Sequence, residues 1–275
     1  MKIKFLGTAA AEGFPAVFCN CKYCKEARML KGKNIRTRSQ GLINDDLLID
    51  IPADTYHHFL ENDIEGDKIK YLLITHSHQD HFYPEELNMR TGGFAKDKRT
   101  EILQVYFGEG TQKKIMADKE LSQLKDNAYN LIKEFETINL GKYEVTALPA
   151  KHFFGDGALI YIIKEGDKAM LYAHDTGYFY EEVFDYIKNE GLVFDLVSLD
   201  CTNIDIPVDD DGSHMGLPNI KRAITRLKEI GAINSSTKKI INHFSHNANP
   251  IQHILEEKTK EDGYIVAYDG LEIDI

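Results

Sequence analysis

Short apolar runs and amphipathic segments alternate along the chain. Runs rich in β-branched and aliphatic residues predict strands over residues 2–6, 47–51, 70–75, 101–107, 143–148, 159–164, 169–173, 195–199 and 239–242. Apolar residues spaced three and four positions apart predict helices over residues 53–61, 85–90, 111–117, 121–136, 181–190, 219–230 and 251–260. This alternation predicts an α/β fold with a large sheet content.

Length and charge narrow the classes of function. The chain has 275 residues, and its 33 lysines and arginines against 44 aspartates and glutamates give a net charge of −11. One large domain over residues 1–275 fits this length, because no change in composition marks a boundary. The acidic balance argues against general nucleic-acid binding, which needs clustered basic side chains.

The sequence carries no recognisable membrane or secretion signal. The apolar run over residues 158–163 ends at Lys164, well short of the roughly 18 to 20 residues that span a bilayer. The first residues alternate between polar and apolar like a strand and lack the apolar core of a signal peptide. We therefore expect a cytoplasmic protein without a membrane partner.

The most informative motif follows the strand predicted over residues 70–75. Four side chains that can bind a metal ion lie in this short segment, at His76, His78, Asp80 and His81. The sheets of α/β proteins bind ligands at the carboxyl ends of their strands, and a packed core has no use for such polar side chains. The alternative is a polar loop of solvated histidines. We take the motif as the core of a metal site because further candidate ligands follow.

Those further candidates are His152, Asp175 and His243, each at or just beyond the end of a predicted strand. Together with the first motif they suit two divalent metals, which lie about 3.5–4 Å apart in two-metal hydrolases. Asp80 on one ion and Asp175 between both would supply negative charge, and such nitrogen and oxygen ligands accept zinc, manganese or iron. Taken singly, each of the three is more typical of a hydrogen-bonded or capping residue.

The motif His76-x-His78-x-Asp80-His81, followed by a spaced His, Asp and His, resembles the metallo-β-lactamase superfamily over nearly the whole chain. The resemblance implies an αββα sandwich with a dinuclear metal centre. Transferred by motif position, it assigns the ligands of the first metal as His76, His78 and His152. It assigns those of the second as Asp80, His81 and His243, with Asp175 as the bridge. Sequence spacing alone does not give this division.

A second cluster of ligands lies near the N-terminus, where Cys19, Cys21 and Cys24 form a Cys-x-Cys-x-x-Cys knuckle over residues 19–24. Three thiolates need a fourth ligand to complete a tetrahedral zinc shell, and His246, shortly after His243, is the candidate. Such a closed site is structural and would pin the N-terminal loop to the loop that carries His243. The alternatives are free buried thiols and a solvated His246.

The knuckle narrows the resemblance to one branch of the superfamily. With the Gly-Thr-Ala-Ala-Ala-Glu-Gly segment before it and the His-x-x-His near the end of the chain, it resembles the phosphoribosyl cyclic phosphodiesterases of carbon–phosphorus lyase pathways. These enzymes are similar to the tRNA 3′-processing ribonucleases. A pyrroloquinoline-quinone biosynthesis protein of the superfamily also carries the knuckle, so this motif does not name a substrate.

Asp200 and His214 fit phosphodiester chemistry through the same resemblance. In the resembled enzymes an acidic residue at the first position orients a histidine at the second, which donates to the phosphate or the leaving oxygen. A neighbouring carboxylate raises the pKa of an imidazole and favours its protonated form. We therefore expect a catalytic set of His214 as general acid, Asp200 and the ligand Asp80. The alternative for His214 is a loop histidine that caps the following helix.

The sequence thus predicts hydrolysis of a small or cyclic phosphodiester with two catalytic divalent metals, zinc or manganese or iron, and one structural zinc. The partner is a small phosphorylated substrate, and a homodimer is compatible with the sequence. The first alternative is tRNA 3′-end processing, although no basic or Gly/Pro-rich arm is evident. Thioester or lactam hydrolysis and a non-catalytic metal-stabilised binding protein are further alternatives, whereas electron transfer is disfavoured because no flavin-binding domain is appended.

The remaining histidines and the fourth cysteine have simpler expected roles. His57, His58 and His253 lie in predicted helices and are expected to face solvent. Cys201 is expected to be a small buried hydrophobic residue, and His174 a neighbour of Asp175 rather than a ligand.

Overall fold

The computed structural model describes residues 1–153 and 155–275, which form two sheets flanked by helices. The strands are β1 Lys2–Gly7, β2 Gln40–Ile43, β3 Leu47–Ile49, β4 Tyr71–Ile74, β5 Leu103–Phe107, β6 Asn127–Leu131, β7 Thr137–Leu140, β8 Tyr143–Pro149, β9 Leu159–Glu165, β10 Lys168–Ala173, β11 Leu196–Asp200, β12 Lys238–Asn242, β13 Ile265–Val266 and β14 Leu271–Asp274. The helices are α1 Lys22–Leu30, α2 Thr55–Glu61, α3 Glu85–Asn88, α4 Glu109–Ala117, α5 Glu181–Asn189, α6 Leu217–Glu229 and α7 Gln252–Thr259. Single 3₁₀ turns lie at Gly32–Asn34, Gly66–Lys68, Leu121–Gln123 and His246–Ala248.

Each sheet is antiparallel in one half and parallel in the other. The first sheet has the order β14-β1-β2-β3-β4-β5-β6, and its strands from β3 to β6 are parallel. The second has the order β13-β12-β11-β10-β9-β8-β7, and its strands from β10 to β13 are parallel. Parallel strands end at a common edge, so the segments that follow β3, β4, β10, β11 and β12 gather at the edges of the two sheets.

Three apolar layers hold the sheets and helices together. The layer between the sheets contains Phe5, Ile49, Tyr161 and Ile163, which are buried on the facing sides of the strands. A second layer packs α5, α6 and α7 against the outer face of the second sheet, and a third packs α2, α3 and α4 against the first sheet. Burying an aliphatic or aromatic side chain contributes about 1.5–3 kcal/mol, so these layers supply the main driving force. The αββα sandwich is confirmed.

The prediction of a helix over residues 121–136 is wrong. The chain makes one 3₁₀ turn and then forms β6, which pairs in parallel with β5 so that Leu103 faces Asn127 and Phe107 faces Leu131. Local spacing of apolar residues fits a helix, but pairing at the sheet edge satisfies the backbone and packs Tyr129 against Phe107. Helix α1 and the strands β2, β6, β7, β13 and β14 are also absent from the sequence-based prediction.

His58 lies on the inner face of α2, and the expectation that it faces solvent is wrong. Its side chain is 1% exposed, with Nδ1 2.6 Å from Gln40 Oε1 and Nε2 2.6 Å from Thr37 Oγ1. These two polar partners make burial of an imidazole tolerable. His57 and His253 are exposed and Cys201 is buried, as expected. Within the described part of the chain, every helix is too short or too polar to cross a lipid bilayer.

Candidate metal centre

The residues expected to bind the first metal converge. His76 and His78 follow β4, His152 follows β8, and Asp175 follows β10. His78 Nδ1 lies 3.1 Å from His152 Nε2, and His76 Nε2 lies 3.1 Å from Asp175 Oδ2. One ligand atom from each of the four side chains lies within 4.8 Å of the others. This is close enough for a single cation.

The residues expected to bind the second metal also converge, and Asp175 belongs to both groups. Asp80, His81, Asp175 and His243 each place one ligand atom within 4.8 Å of the rest. His81 Nε2 lies 3.1 Å from Asp175 Oδ2, 3.3 Å from His243 Nε2 and 3.4 Å from Asp80 Oδ2. A carboxylate shared between two ligand groups is the arrangement that a bridge between two cations requires.

Left-handed backbone conformations aim these side chains. Asp50, Asp175 and His243 have φ values of 64°, 56° and 64°, and each stands just after a strand. Such values cost of the order of 1–3 kcal/mol in a residue other than glycine and persist where the surrounding fold imposes them. At these strand ends the turn brings Asp175 and His243 into the ligand groups and Asp50 against His81. The backbone strain therefore lies at two candidate ligands, Asp175 and His243, and at Asp50, whose carboxylate contacts the candidate ligand His81.

Gly177 permits three loops of the centre to meet. A Cβ atom on Gly177 would lie 1.8 Å from Gly212 O, and the Gly177 amide donates to Lys151 O at 2.7 Å. The segments that carry His152, Asp175 and His214 are thus in backbone contact around this residue. Only glycine fits so close an approach.

Unpaired buried polar atoms indicate that cations complete the centre. Among residues 1–153 and 155–275, His76 Nε2 and Asp175 Oδ1 are buried without a well-aligned hydrogen bond, and their near neighbours are the ionic partners Asp175 Oδ2 at 3.1 Å and His214 Nδ1 at 2.9 Å, respectively. An unsatisfied buried polar group costs about 1–3 kcal/mol. Divalent cations would satisfy both atoms, and the mixture of imidazole and carboxylate suits zinc, manganese or iron. The residues present therefore fit the metals that the fold implies.

His76 and Asp175 already have the protonation states that metal binding requires, whereas His81 must release a proton, because the carboxylates of Asp50, Asp80 and Asp175 outweigh burial and raise its pKa well above the usual range. Burial, with a contribution from His81, lowers the pKa of His76 to about 3, so its nitrogen lone pair is free at neutral pH. Burial by itself would raise the pKa of Asp175, but the imidazoles of His243 and His76 outweigh burial and hold this pKa well below its usual range. Asp175 is consequently an anionic oxygen ligand at every pH near neutrality.

Asp50 supports the centre although sequence reasoning missed it. Fully buried after β3, its carboxylate lies 2.7 Å from His81 Nδ1 and accepts hydrogen bonds from the Thr75 amide and hydroxyl. A carboxylate on the outer nitrogen fixes the ring orientation and leaves Nε2 to face the ligand group. Asp50 ends a run of buried strand residues, the same signal that marked Asp175 and His243.

Asp200 links three segments at the rim of the centre. Its buried carboxylate accepts the amides of Asp175 at 3.0 Å, Thr202 at 3.0 Å and Met215 at 2.9 Å. His214 Nδ1 lies 3.4 Å from Asp200 Oδ2 and 2.9 Å from Asp175 Oδ1. Burial alone would lower the pKa of His214, but the carboxylates of Asp175 and Asp200 raise it to about 10. The structure thus brings Asp200 and His214, which the sequence paired, together beside both ligand groups.

The knuckle and its expected fourth ligand also converge. Cys19, Cys21, Cys24 and His246 place their ligand atoms within 4.8 Å of one another. His246 Nδ1 lies 3.5 Å from Cys19 Sγ and 3.8 Å from Cys21 Sγ. Cys21 caps α1, where its sulfur accepts the Cys24 amide, so the thiols gather at the N-terminus of a helix. Three sulfurs and one nitrogen fit a closed tetrahedral zinc site.

A cavity of about 530 Å³ opens beside the centre, with His152 in its wall. Its polar lining consists mainly of carboxylates, from Glu109, Glu134, Asp156, Glu182 and Asp211, with the lysines Lys113 and Lys151. Lys151 Nζ is already engaged by Asp210 O at 2.9 Å. The lining is therefore net negative.

A sequence model of the beta-lactamase superfamily domain matches residues 48–244, the span from β3 to the residue after His243. The chain belongs to the β-lactamase superfamily. Its two-sheet architecture is the metallo-β-lactamase fold, and this family consists mostly of hydrolases, which supports hydrolysis as the class of reaction of this member. No curated protein sequence matches the chain significantly.

Solved structures agree with this family assignment. Zn²⁺-bound PqqB from Methylobacterium extorquens superposes with a TM-score of 0.78 at 19% identity, over 100% of both chains. A diphosphatase of the PhnP family superposes with a TM-score of 0.72 at 18% identity, over 99% of this chain and 97% of its own chain. Human tRNase Z, short form, superposes with a TM-score of 0.67 at 17% identity, over 100% of this chain and 99% of its own chain. At these identities the likeness shows the shared fold.

Proposed function

We propose that this superfamily member hydrolyses a small or cyclic phosphodiester in a dinuclear metal centre. The observation that carries the proposal is the position of His214, which is held by two carboxylates at the edge of two ligand groups that share Asp175. A donor beside paired metal sites matches the needs of ester cleavage at phosphorus, where negative charge develops on a leaving oxygen.

The proposed metal ligands are those assigned by motif: His76, His78 and His152 for one cation, Asp80, His81 and His243 for the other, and Asp175 for both. When bound, two divalent cations neutralise the phosphate oxygens and lower the pKa of water so that hydroxide is available at neutral pH. The contribution of the chain is to fix the ligand positions through Asp50, Asp200 and the strained strand ends.

His214 is proposed as the proton donor to the leaving oxygen. Its raised pKa of about 10 makes it an imidazolium at neutral pH, which is the form that can donate a proton. Its Nδ1 faces Asp175 and Asp200, so Nε2 is the nitrogen available to donate. The side chain is 24% exposed, whereas that of Asp200 is fully buried, so a substrate can reach His214 while Asp200 holds it.

The cavity favours a small substrate over tRNA. One phosphate group belongs with the cations, but the net negative lining beside His152 would repel the further phosphates of a nucleic-acid strand. Phe153 packs edge-on against His78 and His152 and is 57% exposed, which offers an apolar surface to one ester group. We infer that the ester groups are small and carry no additional phosphates.

The Cys19, Cys21, Cys24 and His246 group is proposed to hold one structural zinc. The Ala10 amide donates to Phe244 O and the Phe244 amide donates to Thr8 O, so the N-terminal segment already pairs with the loop between His243 and His246. Glu12 adds a bond, because its Oε1 accepts from the Ser245 hydroxyl. Zinc at the knuckle would lock this pairing and so brace His243 from outside the centre.

Turnover of bis(p-nitrophenyl) phosphate and of 2′,3′-cyclic nucleotides, with manganese or zinc added to metal-depleted protein, tests the proposal. We expect metal-dependent hydrolysis of at least one of them and no shift of tRNA in a gel at physiological salt. Thioester hydrolysis without any metal-dependent phosphodiester turnover would overturn the proposal. Cleavage of tRNA precursors at their 3′ ends would favour the ribonuclease alternative instead.

A further inference from the structure

Lys114 on α4 reaches the loop that carries most of the clustered ligands. Its Nζ donates to Ser77 O at 2.8 Å and to Phe82 O at 3.2 Å, and its ammonium lies 5.3 Å from the centre of the Phe82 ring. Ser77 and Phe82 stand at the two ends of the segment that contains His78, Asp80 and His81. A single charged group thus spans this segment from outside.

Backbone hydrogen bonds close a turn within this span. His78 O accepts the amides of His81 at 3.0 Å and of Phe82 at 2.7 Å, which closes a tight turn inside the loop. The Ile51 amide donates to His81 O and joins the loop to the segment after β3. The Phe82 amide thus draws the end of the loop toward its start, and the Lys114 ammonium adds the contacts to Ser77 O and Phe82 O that tie this turn to α4.

The chemistry of lysine suits this task. A primary ammonium has three donors that rotate freely, so one nitrogen can serve two carbonyls that face each other. Hydrogen bonds that involve a charged donor are roughly twice as strong as those between neutral groups. The side chain is half-buried, and this burial lowers the pKa of Lys114, although the carboxylates of Glu85 and Asp80 oppose the shift in part. Nothing in the proposed reaction uses Lys114 directly.

We propose that Lys114 is a positioning residue that sets the spacing of His78, Asp80 and His81 and thereby the affinity of the centre for its cations. This inference rests on the proposed function, since it presumes that these side chains bind metal. Groups that orient ligands from outside typically change metal affinity about 10–100-fold when they are removed. We expect a loss in that range for Lys114→Met.

Cobalt titration of metal-depleted protein offers an internal control, because the chain contains two unlike ligand clusters. Cobalt at the cysteine knuckle gives a thiolate charge-transfer band together with d–d bands in fixed proportion to it, whereas cobalt among histidines and aspartates gives d–d bands alone. The d–d absorbance in excess of the knuckle's share therefore reports the centre, and this excess is the d–d titration. For Lys114→Met we expect the d–d titration to move to about 10–100-fold higher cobalt, with the charge-transfer titration unchanged. Lys119→Met, an exposed lysine just after α4, is the matched control and should leave both titrations at their wild-type positions.

Conservative replacement separates positioning from general stability. Lys114→Arg keeps the charge and several donors, so it should recover part of the affinity that Lys114→Met loses. If Lys114→Met fails to fold by circular dichroism, Lys114→Gln, whose amide can still donate to both carbonyls, takes its place with the same readout and an expected smaller loss.

The outcomes distinguish this inference from the function on which it rests. Wild-type protein that shows no d–d titration at all would remove the metal centre and the proposed function with it. Wild-type binding together with unchanged binding in the Lys114 variants would overturn the role of Lys114 alone. Equal weakening of both cobalt sites would show that Lys114 acts on overall stability, which also contradicts the proposal.

Discussion

The two ligand clusters of this chain are built in opposite ways. The knuckle takes three of its ligands from residues 19–24 and only His246 from far away, and its donors are sulfurs around one nitrogen. The centre between the sheets takes its ligands from the ends of β4, β8, β10 and β12, and its donors are imidazoles and carboxylates. A local, sulfur-rich cluster suits a closed structural ion, whereas ligands collected from separate strands leave room for a substrate.

The contrast also teaches how the clusters depend on each other. His243 and His246 lie on one loop after β12, so each cluster takes a ligand from the same short segment. The Phe244 backbone between them pairs with residues 8–10. A change at the knuckle can therefore reach the centre through this loop, whereas a change at the centre leaves the local cysteine segment intact. The predictions below test this asymmetry.

Asp175→Ala should have the largest effect. The carboxylate belongs to both ligand groups and contacts His214, so its loss removes the shared anion from the centre. We expect metal binding at the centre to weaken by well over the roughly 10–100-fold typical of outer groups, and hydrolysis to fall at least about a thousandfold. Metal analysis should still find one zinc per chain, held by the knuckle. Loss of all bound metal would contradict the independence of the two clusters.

His214→Gln should spare metal binding and reduce catalysis. Removing a general acid typically costs about 10²–10⁴-fold in rate, and the cost is greatest for leaving groups that need a proton. We expect a loss of about a hundredfold or more with an alkyl ester and a clearly smaller loss with p-nitrophenyl esters. His253→Gln, an exposed histidine on α7, is the matched control. Equal losses for both kinds of leaving group would argue against proton donation by His214.

Asp50→Asn should weaken the centre without removing a ligand. The amide can still meet His81 Nδ1, but it lacks the charge that favours the orientation of this ring. We expect about 10–100-fold weaker binding of the cation held by His81, measured by chelator competition, and recovery of activity at high metal concentration. Activity that stays low at saturating metal would indicate that Asp50 acts in some other way.

Cys24→Ser should act on stability more than on catalysis. Cys24 is fully buried in a small apolar cluster with Phe14, Ala27 and Ile251, and loss of the proposed zinc there removes binding free energy that supports folding. We expect Tm to fall by roughly 5–10 °C, which corresponds to a few kcal/mol in a chain of this size. The turnover of folded protein should change less than about threefold, because the loop after β12 keeps its backbone pairing.

The sequence located the chemistry of both clusters better than it located the secondary structure. His76, His78, Asp80 and His81 are adjacent in sequence, so their convergence follows from one strand end and needs no knowledge of the fold. The same holds for Cys19, Cys21 and Cys24. The positions of His152, Asp175 and His243 depend on which strand ends meet, and the residues alone indicated only that each follows a strand.

Features that depend on contacts between distant segments were missed. Strand β6 exists because β5 offers an unpaired edge, which no local pattern in residues 121–136 reports. His58 is buried because Gln40 and Thr37, from a different part of the chain, provide its polar partners. Lys114 could not be distinguished from other helix lysines until α4 was seen beside the loop after β4.

The smallest predicted effect concerns protonation within the knuckle. Burial by itself would raise the pKa of Cys21, but the hydrogen bond with His246 outweighs burial and lowers this pKa to about 6. For Cys24, burial raises the pKa to about 12. Cys21 is therefore mostly thiolate at pH 7 and mostly thiol at pH 5, so its alkylation by iodoacetamide in chelator-treated protein should slow about tenfold over that interval. Cys24 should stay unreactive at both pH values. In His246→Ala the midpoint for Cys21 should rise toward the ordinary thiol value, and a midpoint already there in the wild-type protein would contradict the contact between Cys21 and His246.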